Sequence, residues 1–161
     1  MNFSAIILIP LFLLLNACGL QPVHQTNSEY NELFSQISLD PIRSIEGVEL
    51  YNQFLNIIPK NTKEAKYSLH CTIEIMKDYN IIQQNTDILR QRINMTVQFQ
   101  LKEIKTEKIL LEDKFLQFSS YTTSLLPYNN YELEQNTINS LALSAAEEVK
   151  RRIIHLFKRR S

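Results

Sequence analysis

Arg92-Ile93-Asn94-Met95-Thr96-Val97-Gln98-Phe99-Gln100-Leu101-Lys102 alternates without a break. Ile93, Met95, Val97, Phe99 and Leu101 point one way, and Arg92, Asn94, Thr96, Gln98, Gln100 and Lys102 point the other. Strand side chains alternate between faces, so this run is an antiparallel strand with one wet face. Upstream, Ala65–Lys77 repeats the pattern, with Tyr67, Leu69, Cys71, Ile73 and Ile75 on one face. Asp78–Asp87 is expected to be a turn or long hairpin tip between these two strands. Downstream, Lys105–Lys108 reads as a short turn, and a strand follows from Ile109 to about Tyr121. Leu110 and Asp113 muddy its alternation, which predicts a bulge.

Helices flank this meander. Val48, Tyr51, Phe54, Leu55 and Ile58 recur at intervals of three and four, with Ser44 as a candidate N-cap and Pro59 as a stop. After a loop over 119–128, a long helix is expected from Tyr131 to Phe157. Ile138, Leu141, Ala142, Ala145, Val149, Ile153 and Leu156 make its apolar stripe, and Asn129 with Glu132 has capping-box spacing. Leu33–Ile42 alternates weakly and ends at Asp40-Pro41, as an edge strand would. The order is β-α-β-β-β-α. It predicts an α+β two-layer domain, two helices packed on one face of a four-stranded, mainly antiparallel sheet.

The N-terminus is organised differently. Ala5–Leu15 is an apolar run of signal-peptide length, interrupted at Pro10 and too short to span a bilayer. Leu15-Asn16-Ala17-Cys18-Gly19 follows, with the pattern of a bacterial lipobox. Residues 1–17 are therefore expected to be a lipoprotein signal peptide. Residues 18–33 would be a lipidated tether, with Leu20, Pro22 and Val23 able to dock, and 34–161 a single domain. Cys18 would carry a thioether-linked diacylglycerol and an N-acyl chain, and two or more chains suffice for stable anchoring. Gly19 after the cysteine favours the outer membrane over inner-membrane retention. Cys71 would then be the one remaining thiol, read as a buried hydrophobe.

Little announces catalysis. The 17 Lys and Arg balance 17 Asp and Glu, which argues against a general nucleic-acid binder. Two glycines, Gly19 and Gly47, cannot build a phosphate loop, and two Cys with three His disfavour a zinc site. His24, His70 and His155 have no motif partner, and Glu147-Glu148 with Lys150-Arg151-Arg152 reads as a paired helix surface. The chain is expected to be no enzyme and to use no cofactor or metal. Lys158-Arg159-Arg160 is basic at a helix C-terminus, where it complements the dipole and could touch anionic headgroups.

Cys18-Gly19-Leu20-Gln21-Pro22-Val23-His24 resembles the C-G-F-x-P-L-Y opening of the lipopolysaccharide-assembly lipoproteins, the LptE family, with Leu20, Val23 and His24 as departures. The similarity continues at Ile42–Gly47. It is strongest in Ser120-Tyr121-Thr122-Thr123-Ser124-Leu125-Leu126-Pro127-Tyr128, ahead of a helix containing Ala145-Ala146 and ending in basic residues. The resemblance implies a non-enzymatic plug and partner of a large outer-membrane β-barrel of the LptD type, helping it insert lipopolysaccharide. The alternative is a lipid-anchored accessory subunit of an envelope transport complex that binds protein only. In the first case Arg90 and Arg92, two apart on one outward face, are the candidate ligands for lipid A phosphates, with Ile81 and Ile82 as apolar contacts. Asn94, Thr96, Gln98 and Gln100 would face a polar barrel lumen.

Overall fold

Period-two alternation becomes three long strands. The computed structural model describes residues 27–45, 47–58, 65–81, 89–123 and 126–159. In chain order the elements are α1 (Asn27–Ser35), β1 (Ile37–Leu39), α2 (Gly47–Ile57), β2 (Tyr67–Ile81), β3 (Leu89–Glu103), β4 (Ile109–Thr122) and α3 (Pro127–Lys158). The sheet runs β1-β2-β3-β4. β1 is parallel to β2 (Ile37 opposite Tyr67), and β2–β3 and β3–β4 are antiparallel. The helices lie on one face, so the α+β two-layer architecture stands as the sequence predicts.

The core forms between α2, α3 and the odd-numbered residues of β3. Ile93, Met95, Val97, Phe99 and Leu101 are fully buried, as are Leu50, Ala145, Ala146, Val149 and Ile153. On α3 the predicted stripe is buried except for half-buried Leu156. On α2 the stripe is rotated: Gly47, Leu50, Phe54 and Ile58 face inward, while Val48 is exposed. Ser44 accepts a hydrogen bond on Oγ from the Gly47 N–H at 2.9 Å, ahead of the first turn.

Four boundaries differ from expectation. The segment expected to end the tether and begin an edge strand holds α1. Phe34 is buried, with Tyr30 and Leu33 packed against the core, so β1 shrinks to three residues. Leu20, Pro22 and Val23 lie outside the described residues. The β2–β3 hairpin is longer than expected, because pairing continues to Ile81 opposite Leu89. β4 ends at Thr122, one residue past the expected Tyr121, so the loop expected from 119 starts later. Finally, α3 starts at Pro127, not Tyr131, which puts Asn129 inside the helix rather than at its cap. Proline at the first helical position has φ preset and no N–H to leave unpaired.

The predicted bulge is present. Leu101 pairs with Leu111 and Lys102 with Ile109, so Leu110 is the extra residue. Asp113 has a separate cause. It sits on the helix-facing side of β4, opposite Phe99, and accepts a hydrogen bond on Oδ2 from Arg152 of α3. Arg152 Nε also donates to Glu148 Oε1 at 2.7 Å, and its guanidinium lies 4.6 Å from the Phe115 ring centre.

Candidate functional site

The face of the sheet turned away from the helices carries the even-numbered residues of β2, β3 and β4. Register fixes its rows. From the hairpin tip downward they are Asn80–Arg90–Thr122, Asp78–Arg92–Ser120, Met76–Asn94–Phe118, Glu74–Thr96–Leu116, Thr72–Gln98–Lys114 and His70–Gln100–Glu112. Successive rows stand about 7 Å apart. Two arginines therefore share one face at the tip, as expected, and the next two rows add Met76, Phe118 and Leu116 on the flanking strands.

The two arginines are not equivalent. Arg90 is exposed. Arg92 is half-buried, its guanidinium carbon 3.9 Å from the Phe118 ring centre, a stacked cation–π contact. Its Nε is buried without a hydrogen-bond partner among the described residues. Asp78, its neighbour across the ladder, instead accepts from Asn94 Nδ2 at 2.5 Å. The Arg92 guanidinium is thus oriented by an aromatic face and has no carboxylate partner among the described residues, which leaves its outer N–H groups for an oxyanion.

In the two rows below Arg92, Met76, Phe118 and Leu116 are 53, 61 and 59% exposed. These three were not singled out in the sequence. The signal was present: Phe115-Leu116-Gln117-Phe118 puts apolar residues on both parities of one strand. Of the expected apolar contacts, Ile81 is the last residue of β2 and Ile82 lies outside the described residues.

The hairpin is braced from behind. Gln91, the one buried polar residue among those described, accepts on Oε1 from the Tyr121 hydroxyl at 2.5 Å. That hydroxyl lies 3.3 Å from Glu134 Oε2 of α3, and Lys77 Nζ donates to Glu134 Oε1 at 2.5 Å. All three strands are tied to α3 at the level of Arg90 and Arg92.

The other sites singled out in the sequence fall as follows. Cys71 is buried, its thiol pushed up to about 12 by burial first and by Asp40 second, so it is inert. His70 Nδ1 is 3.4 Å from Asp40 Oδ2, and Ser68 Oγ donates to Asp40 at 2.9 Å. His155 is exposed on α3. Glu147 pairs with Lys150 at 3.4 Å and Glu148 with both Arg151 and Arg152, as the spacing predicts. Cys18 and His24 lie outside the described residues. No described helix is long and apolar enough to cross a membrane.

No family model matches the sequence. The fold is shared with two proteins of known structure. A Caulobacter crescentus CB15 protein described as a candidate lipoprotein superposes with a TM-score of 0.67 over 83% of this chain and 98% of that one, at 15% identity. The rare lipoprotein B of Shewanella oneidensis gives a TM-score of 0.55 over 74% and 92%, at 9% identity. In sequence, the uncharacterized protein RP188 of Rickettsia prowazekii (strain Madrid E) is 36% identical over 153 residues, covering 95% of this chain and 97% of that protein. Identity at that level along nearly the full length of both chains makes this protein a member of the same family as RP188.

Proposed function

We propose that this chain is a lipid-anchored outer-membrane lipoprotein without enzymatic activity, a partner and plug of a large β-barrel of the LptD type that assists assembly of lipopolysaccharide into the outer leaflet. One observation carries the reading. The sheet face turned away from the helices places Arg90 and Arg92 at the tip, Met76 and Phe118 in the row below Arg92, and Leu116 one row further. Lipid A is phosphorylated and acylated. A pair of arginines offers bidentate, charge-assisted bonds to phosphate, and these three exposed apolar side chains offer contact to acyl chains. Toward the base, Thr96, Gln98 and Gln100 suit a polar barrel wall. The LptE-like opening at Cys18 and the fold shared with these two proteins, one described as a rare lipoprotein and one as a candidate lipoprotein, support the same reading.

The alternative, a subunit that binds protein only, draws on Leu116 and Phe118, whose exposure also fits a protein interface. A paired experiment separates the two. Arg90→Ala with Arg92→Ala should weaken lipopolysaccharide binding in vitro at least about tenfold, the loss of one or two charge-assisted contacts. Circular dichroism and barrel co-purification should stay normal. A folded double variant with unchanged lipopolysaccharide binding removes the two arginines from the site. If wild-type protein binds barrel but no lipopolysaccharide at all, the protein-only reading stands instead.

A further inference from the structure

The end of the domain opposite the hairpin tip is basic, and the chain enters there. The Ile104 N–H donates to the Lys66 carbonyl at 2.9 Å, which brings Lys66 against the β3–β4 turn with its Lys105 and Lys108. Phe157 of α3 packs edge-on against Tyr67, ring centres 5.3 Å apart, so the C-terminus of α3 arrives at the same place with Lys158 and Arg159. None of Lys66, Lys105, Lys108 and Arg159 has an ion-pair partner among the described residues. Among the described residues, Glu103 and Glu107 are the counter-charges of this turn; Glu103 accepts from Thr106, and Glu107 pairs with Lys102 at 3.8 Å. The asymmetry is visible along the chain as well. Six of its 17 Lys and Arg lie between Lys150 and Arg160, and none of its 17 Asp and Glu does.

Lys158 Nζ lies 5.7 Å from the ring centre of Tyr30, in the first turn of α1. The basic end is therefore where α1 begins. Cys18 stands nine residues before Asn27, and nine residues reach at most about 32 Å. The hairpin tip is farther off, since a 15-residue strand is about 50 Å long.

We propose that this basic end, built by Lys66, Lys105, Lys108, Lys158 and Arg159, binds the anionic phospholipid headgroups of the leaflet that holds the anchor, so that the domain sits on the membrane by its base. The inference rests on acylation of Cys18 and describes the anchored chain before it enters a barrel, the state that barrel-free vesicles reproduce. Acyl chains alone hold the domain near the bilayer but let it rotate on its tether. Cations near an anionic surface favour one orientation by about fivefold each, and that preference is screened by salt.

The test uses the full-length acylated chain, purified in detergent and reconstituted into vesicles of phosphatidylcholine, or of phosphatidylcholine and phosphatidylglycerol in equal parts. A fluorophore is placed at the base (Thr106→Cys) or near the tip (Thr122→Cys). Buried Cys71 stays unlabelled. A nitroxide-headgroup lipid is the quencher. The base label should be quenched on anionic vesicles. High salt, neutral lipid or the variant Lys105→Gln, Lys108→Gln, Lys158→Gln, Arg159→Gln should each reduce that quenching by at least about half, as the fivefold preferences require. The tip label should remain unquenched throughout. Equal quenching of the base label on neutral and anionic vesicles, no effect of the variant, or quenching at the tip overturns the proposal. A chain that stays on both vesicles yet ignores charge overturns this inference alone. A chain that stays on neither overturns the anchor and this inference with it.

Discussion

Gly47 stands where a side chain has no room. A Cβ there would lie 2.2 Å from Ile42 Cγ2 and 2.7 Å from Ser44 Oγ, the oxygen that meets the Gly47 N–H. The glycine is required by close approach rather than by backbone angle. On β3 a single step along the chain reverses the environment. Val97 is fully buried and Gln98 is exposed. Val97→Asp would bury an unpaired carboxylate, costing several kcal/mol, a large share of the roughly 5–15 kcal/mol that holds a domain folded. Gln98→Asp should cost less than about 0.5 kcal/mol, as surface changes do. Thermal melts of the two variants check the register: a large fall in Tm for the first and little change for the second.

At the scale of elements, α3 and the strands are matched in length. A 32-residue helix is about 48 Å long, close to the length of β3, so one helix can brace the sheet from base to tip. Its two ends hold by different chemistry. Near the base Arg152 joins Asp113 of β4 and Glu148 of its own helix. Near the tip Tyr121, Gln91 and Glu134 form the buried polar link. Tyr121→Phe would strand Gln91 Oε1 without its donor, at a cost of about 1–3 kcal/mol. The expected outcome is a Tm lower by several degrees, with faster amide exchange confined to the tip ends of β2, β3 and β4. Uniform exchange along the strands would mean that the link does not brace the tip.

At the scale of the whole molecule, the helices cover one face of the sheet, and no described element covers the other. That face is graded from arginines at the tip, through Met76, Phe118 and Leu116, to polar residues toward the base. A lipid anchor at Cys18 would fix which end stands at the membrane. Cys18→Ala should leave a slower-migrating precursor that takes up no radiolabelled palmitate. Normal processing and labelling of that variant would contradict the lipobox reading. The partners of this face are then testable separately from the anchor, since α1 begins at the end of the domain opposite the arginines.

The strand register of β3 and the buried stripe of α3 were legible because each satisfies one period over many residues, and no alternative face offers comparable burial. Arg90 and Arg92 could be put on one face for the same reason. Where the local pattern is short or mixed, contacts distant in sequence decide. Asn27–Ser35 is helical because Phe34 finds a place in the core and Tyr30 and Leu33 pack against it. The parity of β4 puts Leu111, Phe115 and Tyr121 toward the core, and Arg152, 39 residues away from Asp113, makes a carboxylate acceptable among them. That choice turns Leu116 and Phe118 outward, and Phe118 then supports the Arg92 guanidinium. Alternation is a property of one strand and can be read along the chain. Which side of an ambiguous strand faces the core depends on the charges and rings that the neighbouring elements present, and those meet only in the folded molecule.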